Sequence, residues 1–246
     1  MTLGTVRVVH AQPPSQTGVH DGLAWSLFEP AGPTRGALLI LHGADSRKEN
    51  HHDVARAAAG GGLAALAFDA RGHGASAGAL GAGAVDDVVA MAALLRERAG
   101  GGPVALRGSS MGGYLALVAA RAAGAAAVVA VCPAGAAQLR RGLEAGRYDF
   151  RLDRPGLEAL LDGHDAHDAA AALHVPLLLL HAQGDESVPV QQSRELAAVA
   201  PDCKYVEIPG GHHRSIQHDA ELTGVSVRFV LRALRRASGP DRPGGG

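Results

Sequence analysis

Pro103-Val-Ala-Leu-Arg107 runs through Gly108-Ser109-Ser110-Met111-Gly112 into Tyr114-Leu-Ala-Leu-Val-Ala-Ala-Arg121, so that a short apolar run meets a helix-forming stretch at a serine framed by glycines. This is the G-x-S-x-G pattern in a strand-turn-helix setting. A sharp turn at Ser110 leaves no room for side chains beside it, and Gly108 and Gly112 supply the missing bulk. The serine hydroxyl then faces a cleft, and a helix starting near Met111 aims its free amides and positive dipole end at the same point. A developing oxyanion would be stabilised there. Ser110 is the expected nucleophile, while Ser109 stands outside the G-x-S-x-G frame as a packed neighbour.

Two further runs supply partners for that serine. Pro176-Leu-Leu-Leu-Leu-His181 reads as a buried strand, and Ala182-Gln-Gly-Asp185-Glu-Ser-Val-Pro189 follows its C-terminal end. Lys204-Tyr-Val-Glu-Ile208 reads as a half-buried strand followed by Pro209-Gly-Gly-His-His213. Asp185 is thus the expected acid and His213 the expected base, with Glu186 and His212 as their adjacent alternatives. A serine hydroxyl is protonated at neutral pH and needs a base to attack a carbonyl carbon, and the imidazole in turn needs a carboxylate on its other nitrogen.

The chain resembles the α/β-hydrolase family over nearly its whole length. Ser110, Asp185 and His213 follow that family's chain order. Ala37-Leu-Leu-Ile-Leu-His42-Gly43-Ala44 looks like its central strand with a His-Gly loop, and Phe68-Asp69-Ala-Arg71-Gly72-His73-Gly74-Ala-Ser76 looks like its D-x-R-G-H-G-x-S turn. The G-x-x-H-x form of the last loop favours His213 over His212. The resemblance implies an oxyanion hole from the backbone N–H groups of Met111 and Ala44, a loop-shaping role for His42, and a structural role for His73. It also implies hydrolysis of a carboxylic ester with a small or medium acyl group. A serine peptidase or acyl-thioesterase is the alternative, since the same triad serves all three bonds, and a non-catalytic ligand-binding protein of the same fold is a further one.

Composition fits one α/β domain. The 246 residues are 47% hydrophobic, enough for a full core. Basic and acidic residues number 23 and 24, so no field of one sign invites nucleic acid or an anionic membrane, and a small-molecule partner is expected. No signal-peptide pattern and no run of about 18 apolar residues occurs, which predicts a cytoplasmic protein without a membrane span. Cys132 and Cys203 read as packed free thiols. No cofactor or metal is expected: Gly72-x-Gly74-x-x-Ala77 does not open a helix as a dinucleotide fingerprint must, and His164, Asp165, His167 and Asp168 read as a solvated face. His51-His52 reads as a solvated turn.

Along the chain, Val6–His10 and Leu23–Phe28 read as an antiparallel pair. Strands near 37–42, 63–68, 103–107, 126–131, 176–181 and 204–208 then alternate with helices near 84–98, 111–123, 190–200 and 217–237. This rhythm predicts a mostly parallel, doubly wound sheet. The more polar segment from about 134 to 173 reads as a small helical cap inserted over the site, with Leu139, Leu143, Tyr148, Phe150, Leu157, Leu160 and Leu161 shaping the pocket. A single domain over 1–237 and a frayed tail over 238–246 complete the expectation. Within the cap, Arg140, Arg141, Arg147, Arg151 and Arg154 outnumber Glu144, Asp149 and Asp153. They read as a solvated mixed-charge face, with attraction of an anionic acyl or leaving group as the alternative.

Overall fold

Runs such as Ala37–Leu41, Ala64–Phe68 and Ala127–Val131 are apolar at every position, which suits strands covered on both faces. The computed structural model, which describes residues 11–237, uses them in that way. The strands are β1 (Gln16–His20), β2 (Leu23–Phe28), β3 (Ala37–Leu41), β4 (Ala64–Phe68), β5 (Val104–Ser109), β6 (Ala127–Val131), β7 (Leu177–Ala182) and β8 (Cys203–Ile208). They form one eight-stranded sheet in the order β1-β2-β4-β3-β5-β6-β7-β8, antiparallel at the β1-β2 and β2-β4 pairs and parallel elsewhere.

The helices are α1 (His52–Gly60), α2 (Ala84–Arg98), α3 (Met111–Ala119), α4 (Ala136–Glu144), α5 (Arg154–Gly163), α6 (Ala166–Ala171), α7 (Gln191–Val199) and α8 (Ala220–Ala237). Side chains alternate across each strand, so Leu39, Leu66, Leu106, Val128 and Leu179 meet α2 and α3 on one face. Leu38, Ala65, Ala105, Val129 and Leu178 meet α1 and α8 on the other.

The N-terminal hairpin differs from the sequence reading. Leu23–Phe28 has β1 on one edge and β4 on the other, so no edge is left for Val6–His10, which lies outside the described residues together with the 238–246 tail. The determinant is Asp21-Gly22, both at positive φ (50° and 81°), the two-residue turn whose twist matches flanking antiparallel strands. Hydrophobic alternation chose the wrong partner because the turn chemistry was the stronger local signal.

Between β6 and β7 the helices α4, α5 and α6 interrupt the alternation. Leu139, Leu143, Leu157, Leu160 and Leu161 are buried in the same apolar cluster as α2 and α3. Asp149 N–H donates to Asp45 Oδ1 (2.8 Å), Leu80 N–H donates to Arg151 O (3.0 Å) and Asp153 N–H donates to Leu80 O (2.9 Å), which ties this segment to the loops after β3 and β4. No described helix is long and apolar enough to cross a membrane.

Candidate active site

Ser110 leaves the end of β5 with φ 55° and ψ −118°, a conformation that non-glycine residues adopt only when their surroundings enforce it. Its N–H still pairs with Val131 O of β6 (2.9 Å), while its carbonyl already accepts from Tyr114 N (3.0 Å) and Ala134 N (3.1 Å). The residue is therefore the last of the strand and the first of the helix at once. A Cβ on Gly108 would lie 1.9 Å from Gly112 O, and one on Gly112 would lie 2.4 Å from Leu41 O. Backbone atoms cannot yield as flexible side chains do. Gly112→Ala should force α3 away from β3 and lower the melting temperature by several degrees, as overpacking of about 1–3 kcal/mol does in a chain this size. A thermal melt checks this.

The loop after β3 is held equally firmly. His42 Nδ1–H donates to Gly43 O (2.7 Å), and its Nε2 accepts from Ala70 N–H (3.0 Å). Burial pushes its pKa down to about 4 and keeps it neutral, so its role here is to shape the loop. Asp69, fully buried, accepts from the Lys48 backbone N–H (2.7 Å), Lys48 Nζ (2.8 Å) and Ala75 N–H (2.9 Å). This joins the loops after β3 and β4. His73 packs between His42 and Phe150, with ring centroids 4.9 and 3.9 Å away. A Cβ on Gly43 would lie 3.2 Å from Ser110 Cβ, so the backbone of the loop passes directly beside the elbow.

Asp185 stands just past β7, and His213 in the loop beyond β8. His213 Nδ1–H donates to Asp185 Oδ2 at 2.6 Å, while Asp185 Oδ1 accepts from the Ser187 and Val188 N–H groups (2.9 and 2.8 Å). Burial alone would raise the Asp185 pKa; hydrogen bonds from His181, His213, Val188 N–H and Cys132 overcome it and hold the carboxyl well below the usual carboxylate range. Of the adjacent alternatives, His212 is exposed and makes no ring hydrogen bond among the described residues. Glu186 is likewise exposed, and Ser109 is fully buried with its hydroxyl unpartnered.

Ser110 and His213 both line a cavity of about 610 Å³, together with Gly43 and Ala44. Among the described residues Ser110 Oγ has no hydrogen-bond partner. Such contacts often tighten only around a bound substrate. Of the apolar residues expected to shape the pocket, only Leu139 and Tyr148 line it; the remaining leucines are taken up by the core.

Some neighbours had no sequence signal. Cys132, at φ 44° after β6, places its thiol against Asp185, and burial pushes that thiol's pKa up. Ligand atoms of Cys132, Asp185 and His213 lie within 4.8 Å of one another, but a metal would first have to displace the thiol proton and the Asp185–His213 bond. Arg107 of β5 is buried, its Nη2–H donating to Gln217 O (3.0 Å), and Gln217 Nε2–H donates to His213 O (2.8 Å). The strand that carries Ser110 thereby grips the loop that carries His213. Only the odd sight of an arginine closing an apolar strand could have flagged it. His51, read as a solvated turn, is instead buried against this group; burial lowers its pKa to about 3. Of the cap histidines, His164 precedes α6 and only His167 lies on it, while Asp165 Oδ1 is engaged by the His167 and Asp168 N–H groups as the helix cap.

Residues 32–147 match the family model described as serine aminopeptidase, S33. Comparison with curated proteins gives no match. Among solved structures, Est1E from Butyrivibrio proteoclasticus is similar at TM-score 0.72 and 20% identity, covering 89% of this chain and 98% of its own. A monoacylglycerol lipase from Paleococcus ferrophilus is similar at TM-score 0.68 and 22% identity, covering 86% and 99%. Alpha/beta hydrolase domain-containing protein 10 from mouse gives TM-score 0.70 at 21% identity, covering 91% and 99%. With the parallel sheet, the serine turn after β5 and these overlaps along nearly the whole described chain, the protein has the α/β-hydrolase fold.

Proposed function

We propose that this protein is a serine hydrolase of carboxylic esters with small or medium acyl groups, acting through Ser110, His213 and Asp185. The observation that carries the reading is the meeting, at one cavity, of a serine in the strained elbow conformation with a histidine whose Nδ1–H is held at 2.6 Å by a buried carboxylate. Ser110 Oγ bonds to the acyl carbon as its proton passes to His213 Nε2. The backbone N–H groups of Met111 and Ala44 receive the oxyanion, each contributing on the order of 3 kcal/mol to lowering the barrier. The carbon–oxygen bond to the alcohol then breaks, and the alcohol leaves with the proton from His213. Water attacks the acyl-enzyme with its proton taken by His213, and the acid departs as Ser110 recovers its hydrogen.

The family description favours a second reading, an aminopeptidase. A peptide's α-ammonium calls for carboxylates, whereas among the described residues lining the cavity Asp45 is the only acid, beside Arg147 and Arg214. That balance supports the ester reading. A cytoplasmic location is part of the same proposal.

A fluorophosphonate probe tests the reading without knowledge of the substrate, because it needs only an activated serine and an oxyanion site. One phosphonyl group should appear, on the peptide carrying Ser110, with or without a metal chelator. A folded protein that stays unlabelled at pH 8 would overturn the reading. A panel of p-nitrophenyl esters of rising chain length, an acyl-coenzyme A and an aminoacyl amide then ranks ester, thioester and amide.

A further inference from the structure

The five arginines of the 134–173 segment are not equivalent. Arg140 pairs with Asp162, Arg151 Nη2–H donates to Ser76 O (2.8 Å), and Arg154 Nε–H donates to Glu158 Oε1 (3.0 Å). Arg141 does not line the cavity. Arg147 does line it, as does Arg214, which directly follows His213, and neither guanidinium has a carboxylate or any other acceptor among the described residues.

The opposing negative charge is a single carboxylate among the described lining residues. That carboxylate, Asp45, accepts the Asp149 N–H (2.8 Å). The rest of the wall is chiefly polar, with Asn50, Gln138 and Gln217, and its larger apolar side chains are Leu139, Tyr148 and Val188. A long acyl chain would need a continuous apolar wall. Two unpaired guanidinium forks on a chain whose net charge is only −1 instead offer the fixed, paired donors that a carboxylate accepts.

We infer that Arg147 and Arg214 form an anion-accepting rim and that the substrates are esters whose acyl or leaving group bears a carboxylate. This rests on the serine-hydrolase reading above. Arg147 comes from the segment between α4 and α5, and Arg214 from the loop of the proposed base, so the carboxylate could sit on either side of the scissile bond. Matched substrates separate the two sides. p-Nitrophenyl hemisuccinate against p-nitrophenyl butyrate places the charge on the acyl group, and 4-carboxyphenyl butyrate against 4-acetylphenyl butyrate places it on the leaving group.

With rates referred to spontaneous hydrolysis, one pair should show the charged ester favoured in kcat/KM by about tenfold or more, chiefly through KM. Raising salt from 50 to 500 mM should shrink that ratio, since both guanidinium groups are exposed. Arg147→Gln and Arg214→Gln should each lower the ratio, and the double variant should bring it close to one. Arg→Lys at either position should restore only part of it, because a lysine keeps the charge and loses the fork. Ratios near one for both pairs in the wild-type protein, or a ratio the double variant leaves intact, would overturn the inference. If the fluorophosphonate still labels Ser110 in that case, the hydrolase reading stands alone. If labelling also fails, both fall together.

Discussion

Ser110→Ala is expected to lower ester turnover by roughly a hundred-thousandfold, leaving the rate that the oxyanion donors and binding can sustain by themselves. The change removes one oxygen. Ser110 Oγ accepts and donates no hydrogen bond within the described protein, so its loss leaves no buried group unsatisfied. The positive φ at Ser110 is set by backbone pairing to Val131, Tyr114 and Ala134, and alanine inherits it unchanged. Melting temperature should therefore stay within a few degrees while activity collapses. Initial rates on a p-nitrophenyl ester, read beside a thermal melt, check both halves. A variant that keeps more than about a tenth of the rate would move the nucleophile elsewhere.

The second large effect concerns the two adjacent histidines. His213→Ala should be nearly as damaging as Ser110→Ala, because members of one catalytic unit fail together instead of additively. His212→Ala should retain most of the rate, its side chain being exposed and away from Asp185. Asp185→Asn should cost roughly ten-thousandfold, since the amide offers the imidazole a donor where the carboxylate offered an acceptor, and so favours the wrong tautomer. It also removes a negative charge that three hydrogen bonds of 2.6–2.9 Å presently hold. Steady-state kinetics on the three variants give the ranking directly. A His212→Ala protein that is dead beside an active His213→Ala protein would transfer the proposed base to its neighbour.

The elbow was legible because all of its constraints are local. The five residues Gly108 to Gly112 must turn from strand to helix within van der Waals contact, and only glycine fits at 108 and 112. The parallel strands were legible for a related reason: burial on both faces demands unbroken apolar runs, which survive any detail of packing. The hairpin was misread although it too is local, because the Asp21-Gly22 turn decides register before alternation does.

Chain order put Asp185 after β7 and His213 after β8, and the ends of parallel strands converge on one edge of the sheet. It could not orient them. Whether His212 or His213 meets the carboxylate depends on the left-handed turn at Gly210 and Gly211 (φ 73° and 71°) and on the grip of Gln217 upon His213 O. That grip comes from Arg107, 110 residues away along the chain. The thiol of Cys132 beneath Asp185, and the two unpaired arginines that share one cavity wall, are of the same kind. Local sequence therefore determined which residue types stand at the strand ends, because sterics and burial act over a few residues. Only the tertiary structure decided which of them touch, because those contacts join segments whose separation along the chain carries no record of their distance in space.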